Sequence, residues 1–296
     1  MTSQQDAKSG PAPIGVIYDT SMSRADAALA LAALHVSVSR REARVNAVSV
    51  NGSGFDAAIF CDLVARFYLG PGRSNSNNAL PIGFAAETST PANPPLVERA
   101  VKRTRADGQL QYPRTLQSIS DSSAPDALLR NAVTLSVEAV VVLSAPAAWL
   151  ARSLALTGTV ARYRERVKRV VLVDAGDLER DPAALKSLTA ALPAPPVTCG
   201  REIGEALKLP KTQLATAFTW SDANPIADAV SAAEGDVVAL HDLAALHYAL
   251  HPDAGFFSVS GGRLSIDSTK ARDCREALVA LATSKPAAPA SGRGGG

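Results

Sequence analysis

The side chains of this chain that could do chemistry gather in two stretches far apart in sequence. Near the start, the segment Ile14 to Asp26 is an apolar run followed by a polar turn that carries Asp19, Ser21, Ser23 and Asp26. Near the end, His241 directly precedes Asp242. Carboxylates that a fold brings together can hold a cation or a polar ligand. An imidazole beside one of them could hand a proton to a leaving group, since histidine titrates at about 6.5 when undisturbed. The serine hydroxyls are neutral and poor bases near neutral pH. A plainer reading stands beside this one. Asp19 could accept hydrogen bonds from the Ser21 or Met22 amides, Asp26 and Asp242 could each stabilise the first turn of their own helix, and His241 could lie in a core. Asp177 could contact a polar ligand or cap a helix, and Asn51 before Gly52 suits a pocket or a turn. Arg201 could face a pocket and bind an anion, or pair with a neighbouring acid.

These residues need elements to place them, and hydrophobic patterning supplies a regular series. Strands are expected at 14–18, 45–50, 81–84, 139–143, 170–173, 196–199 and 237–240. Helices are expected at 26–38, 57–67, 126–132, 146–156, 182–192, 242–250 and 272–281, with a short one near 98–104. The stretch 256–266 reads as a hairpin around Gly261-Gly262, and 205–236 has no assignable pattern. Strand, loop and helix in alternation point to an α/β fold: a single domain with a mostly parallel central sheet flanked by helices, Rossmann-like in layout. Its bounds are expected at 13–283, after a flexible start over 1–12 and before a disordered tail over 284–296. In such a sheet ligands meet loops beyond the carboxyl ends of the strands, where Asp19, Asn51 and the segment around Ala145 fall. No GxGxxG or GxxxxGK[ST] run is present, so neither a dinucleotide nor a P-loop site is supported.

The chain has 296 residues, 47% of them hydrophobic but only 5% aromatic, which predicts a core of small side chains and close helix packing. The formal net charge is +2 and no long basic tract stands out, which argues against nucleic acid as a partner. Three cysteines without CxxC spacing fit a reducing compartment, and no apolar run is long enough for a membrane span. A cytoplasmic location is therefore expected, with no membrane partner. Alanine-rich helices are compatible with a homo-oligomer.

In order along the chain, several segments resemble the inosine-uridine nucleoside hydrolase family. The family's DxDxGxDD loop is matched in register by Asp19-Thr-Ser-Met-Ser-Arg-Ala-Asp26, which keeps the outer two aspartates. Its Gly-Asn pair is met in reverse by Asn51-Gly52, and its GPLTN segment by Ala145-Pro-Ala-Ala-Trp149. A DPxAA run followed by GxEIG is met by Asp181-Pro-Ala-Ala-Leu185 and Gly200-Arg-Glu-Ile-Gly204. The late HDPxA helix is met by His241-Asp-Leu-Ala-Ala245, and the closing hairpin by Val259 to Ser265.

The resemblance implies a nucleoside-hydrolase-like fold, a calcium ion and hydrolysis of an N-riboside. Carried over residue by residue, it makes Asp26 and Asp242 metal ligands, places Asp19 in support, and lets the backbone carbonyl of Ala148 serve the metal. His241 matches the position of a candidate acid. Asn51, Trp149, Asp177 and Arg201 fall where a ligand pocket would lie, and Trp149 in place of a smaller Asn predicts partial filling of that pocket. Ser21 stands where the family has the aspartate that activates water, and Ala25 removes a further carboxylate. The Glu-Phe-Asn segment of active relatives has no counterpart between Val170 and Asp181. These losses predict a nucleoside-hydrolase-fold protein with lost or strongly reduced activity and a pocket for a small polar molecule or nucleoside. The alternatives are an active divergent hydrolase or a non-catalytic scaffold.

Overall fold

A computed structural model describes residues 12–70, 80–84 and 92–288. The expected flexible start, save its last residue, and the end of the expected tail lie outside them, as do residues 71–79 and 85–91.

β1 (Ile14–Thr20), β2 (Ala43–Val50), β3 (Ile82–Gly83), β4 (Ala139–Ser144), β5 (Val167–Val173) and β6 (Val197–Cys199) run parallel. With β9 (Phe257–Ser260) and β10 (Arg263–Ile266) they form an eight-stranded sheet in the order β3-β2-β1-β4-β5-β6-β10-β9. Among the described residues, only β9, at the edge, runs antiparallel to its neighbour. The expected strand at 237–240 is shorter and elsewhere: β8 (Val237–Val238) pairs with β7 (Leu209–Pro210) in a separate two-stranded ribbon.

Helices cover both faces. α1 (Ala25–Ser39), α2 (Phe55–Leu69), α3 (Pro95–Lys102), α10 (Pro225–Ala232), α11 (His241–Leu250) and α12 (Ala271–Thr283) pack with one core. α4 (Pro125–Thr134), α5 (Ala148–Ala155), α6 (Thr159–Arg166) and α7 (Pro182–Ala191) pack with a second core across the sheet. The short α8 (Arg201–Ala206) and α9 (Lys211–Ala215) follow β6 and β7. Every residue of α1 from Ala25 to Ser37 is buried. Alanine favours the helix and lets neighbouring helices approach on all sides.

Strand period decides which site residues can meet. On β1, Val16 and Tyr18 face the α1 core, whereas Ile17 faces the other core. Asp19 pairs in register with Ser49 and Leu143, and Leu143 also belongs to the second core. Tyr18 and Asp19 are thus sent to opposite sides of the sheet. β1 and β4 are adjacent while the chain leaves β1 toward β2, so the sheet reverses direction between them. Loops separate there and leave a crevice at the strand ends.

Candidate functional site

The polypeptide leaving β1 is pinned on both sides. The Ser21 amide donates to the Ser144 carbonyl at 3.3 Å, the Asn51 amide donates to the Thr20 carbonyl at 3.0 Å, and the Ser53 hydroxyl donates to the Ser21 carbonyl. Met22 then adopts a left-handed conformation with φ 50°, its side chain fully buried and its amide bonded to Thr20 Oγ1 at 3.1 Å. A non-glycine residue in this region is strained, and such strain collects where a structure directs a side chain to a task. The turn sends Arg24, the N-cap residue of α1, inward.

Arg24 enters a ring of three carboxylates drawn from α1, the segment after β5 and α11. Its Nη1 donates to Asp177 Oδ2 at 2.9 Å and its Nη2 to Asp242 Oδ2 at 2.6 Å, while Nε lies 3.4 Å from Asp26 Oδ1. Nη2 also donates to Ser144 Oγ at 2.7 Å, at the end of β4 beside the crevice. A cation at a helix N-terminus works against the helix dipole, so the three acids are what make this placement tenable. Burial opposes the charge on Arg24, but Asp242 and Asp26 more than offset it and hold the guanidinium ionised.

The acids bridge elements rather than cap their own helices. Asp26 Oδ2 accepts the Asp242 amide at 2.8 Å, so a side chain of α1 satisfies the first turn of α11. Asp242 Oδ1 accepts the Tyr18 hydroxyl at 2.8 Å. Burial raises the pKa of Asp26, with the Asp242 charge adding to it. Asp242 is pulled below the carboxylate range: burial pushes upward, but Arg24, with the Ser144 and Tyr18 hydroxyls, outweighs it. Asp177 Oδ2 also accepts the Ser21 hydroxyl at 2.7 Å and the Ser23 hydroxyl at 3.1 Å, and its Oδ1 pairs with Arg180 at 2.9 Å.

Beside the ring lies a cleft of about 550 Å³, lined by Ser23, Arg24, Asp26, Arg180 and His241 and by the apolar Pro94, Pro95, Leu96, Val237 and Val238. His241 is buried against α8, where a Cβ on Gly204 would stand 2.1 Å from the imidazole Nε2. The last glycine of the Gly200–Gly204 run therefore makes room for the ring. Burial lowers the His241 pKa, and the nearby Arg24 charge adds to that against the pull of Asp242.

Asp26, Asp177, Asp242 and His241 thus come together, with Ser21 hydrogen-bonded to Asp177. The other expected residues do not join them. Asp19 lies on the far side of the sheet, and its oxygens accept no hydrogen bond among the described residues, neither from Ser21 nor from Met22. Burial pushes its carboxyl up to about 8. Ala148 opens α5, where its carbonyl enters the helix ladder, and it does not line the cleft. Trp149 packs with the second core under the Arg152 guanidinium, 4.5 Å from its ring, and fills none of the cleft. Arg201 is exposed at the start of α8 and does not line the cleft either. Asn51 is buried as a tie, donating to the Pro146 carbonyl at 2.7 Å, while its neighbours Gly52 and Ser53 line the cleft.

Sequence reasoning passed over Arg24. The available signal was a positive side chain inside a loop that the resemblance assigns to a cation. That arrangement does not fit a calcium ion. Calcium takes about six to eight oxygens around one centre, and here the acids that would supply them are paired with a guanidinium.

No family model matches the sequence, and no curated protein does either. Solved structures match the fold over nearly the whole chain. The effector protein XOO4466 superposes with a TM-score of 0.66 at 12% identity, covering 94% of this chain and 95% of that one. The type III effector XopQ, in complex with adenosine diphosphate ribose, gives 0.61 at 13% identity and 94% of both chains. A purine-preferring ribonucleoside hydrolase from Gardnerella vaginalis gives 0.60 at 14% identity, covering 91% of this chain and 99% of that one. The chain has the nucleoside hydrolase fold.

Proposed function

We propose that this protein uses the nucleoside hydrolase fold with lost or strongly reduced N-ribosyl hydrolysis, and keeps a cleft for a small polar ligand. The observation that carries this reading is the Arg24 guanidinium among Asp26, Asp177 and Asp242. Hydrolysis of an N-riboside needs a water held against the sugar and a group to take its proton. The Ser21 hydroxyl is a donor to Asp177, not an acceptor poised for water. Asp177 is committed to Ser21, Ser23, Arg24 and Arg180, so its oxygens are already filled by donors from the protein. No step in this reading uses a metal.

The ligand would meet Ser23, Arg180 and His241 together with Pro94, Leu96 and Val238 in the cleft lining. A lining that mixes hydrogen-bonding and apolar side chains suits a nucleoside. The adenosine diphosphate ribose held by XopQ makes that compound a sensible second probe. The direct test incubates the protein with purine and pyrimidine nucleosides, with and without calcium, and follows base release. Release no faster than in buffer is expected. Robust turnover that depends on Asp26 and Asp242 would overturn the reading.

One observation favours an active alternative. Asp26 Oδ2 and His241 Nδ1 lie 3.9 Å apart and both residues line the cleft, a spacing suited to an acid and base acting on an unrecognised N-riboside. Turnover of such a compound, abolished by Asp26→Asn and by His241→Ala, would establish it.

A further inference from the structure

The shape of the carboxylate ring says which class of cation belongs in it. Two of its acids hydrogen-bond different nitrogens of one planar ion, Asp177 at Nη1 and Asp242 at Nη2, with Ser144 taking a second hydrogen from Nη2, while Asp26 lies 3.4 Å from Nε as an ion pair without a hydrogen bond. A divalent ion needs its oxygens at about 2.3–2.6 Å from a single centre. Among the described residues, no three His, Cys, Asp or Glu side chains are grouped to hold one. A planar guanidinium instead presents N–H groups in a fixed fork, which matches acceptors spread around its edge.

We propose that the ring is a guanidinium-binding site occupied by the chain's own Arg24, an internal cation standing where the fold's active relatives are expected to use a metal. This rests on the reading of the site given above and concerns the identity of its cation, not turnover. A second observation points to the same cage. His241, nine-tenths buried, directs Nδ1 toward Asp26 Oδ2 at 3.9 Å, and that nitrogen has no hydrogen-bond partner among the described residues. The Arg24 side chain is 22% exposed, on the wall of the 550 Å³ cleft. If Arg24 is cut back, a small ion from solvent can therefore reach the ring.

The test is thermal unfolding of the full chain as wild type, Arg24→Ala and Arg24→Lys, in millimolar methylguanidinium, calcium chloride or sodium chloride of matched ionic strength. Arg24→Ala should lower Tm by about 10 °C, because three buried acids lose their partner. Methylguanidinium should restore at least half of that loss in a saturable way, while calcium does no more than sodium chloride. Arg24→Lys keeps the charge without the fork and should stay below wild type, and the wild type should respond to none of the three salts. Calcium rescue equal to or better than methylguanidinium rescue would overturn the proposal. So would an Arg24→Lys protein as stable as wild type, or calcium stabilisation of the wild type. If Arg24→Ala does not fold, the lysine comparison and the wild-type calcium titration decide alone. Nucleoside turnover by the wild type in calcium-free buffer would sink the loss of hydrolysis while leaving the cation assignment standing.

Discussion

The Ser21 hydroxyl donates to Asp177 Oδ2 at 2.7 Å, joining the turn after β1 to the segment after β5 across 156 positions of sequence. Where the resemblance calls for a proton acceptor, the chain has a donor already in use. Asp177 is 3% exposed and receives Ser21, Ser23, Arg24 and Arg180 together. Asp177→Ala should therefore cost about 3–5 kcal/mol, since it strands buried donors and a cation. Urea denaturation gives the value, and a loss under about 1 kcal/mol would mean that the cluster is solvated in solution.

Restoring the missing acid should not restore hydrolysis. Ser21→Asp would place a carboxylate beside Asp177 and within the field of Arg24, where it adds a partner for the guanidinium rather than a free base. Base release from a nucleoside panel should stay at the buffer rate. Turnover by this single variant would show that the missing base alone accounts for the loss.

Gly204 and His241 should be energetically coupled. A methyl group at Gly204 would overlap the imidazole, and forced repacking of this kind costs about 1–3 kcal/mol. Gly204→Ala alone should show that loss, and much of it should disappear in the background of His241→Ala. A double-mutant cycle with no coupling would mean that α8 shifts to accommodate the methyl group.

Asp19 makes stability fall as pH rises. Its carboxyl has a folded pKa of about 8, raised by burial, against about 4 in the unfolded chain. Below both values it is protonated in either state and has no effect. Between them the unfolded chain ionises first, so stability declines across that window and then levels off. Asp19→Asn should remove this slope and stabilise the protein by up to about 5 kcal/mol at the top of the window. Denaturation midpoints measured from mildly acidic to mildly alkaline pH check both the slope and its loss.

The acid side should be governed by buried histidines. Burial lowers both His35 and His247 to about 4, with the His251 charge adding to the effect on His247. The unfolded chain takes up protons first as pH falls from about 6.5, so stability drops from there toward about 4. His35 stacks with Tyr68 at 5.8 Å between ring centroids, so His35→Phe keeps an aromatic pair and should shallow that slope. An unchanged acid profile would place the sensitivity elsewhere.

The sheet was legible in the sequence because apolar runs such as 139–143 and 170–173 recur between helical stretches, and burial on both faces demands that pattern. The region 205–236 was not, because β7, α9 and α10 are short and take their places from packing rather than periodicity. At the site, Asp26 and Asp242 could be paired through the resemblance. Asp19 was misplaced because its side chain follows the strand period to the opposite face from Tyr18. Trp149 was misplaced because its helix packs with the second core. Arg24 escaped notice because a lone arginine beside a helix start reads as a solvated residue. Its partners Asp177 and Asp242 stand 153 and 218 positions away.

A bound metal depends on supply: it can be stripped by a chelator, outcompeted by another ion or missing from the compartment where a protein is made. The guanidinium that joins α1 to α11 has none of these dependencies. On the assignment proposed above it arrives in equal stoichiometry with every copy of the polypeptide, so the charge that fills the ring is made with the chain rather than drawn from solution.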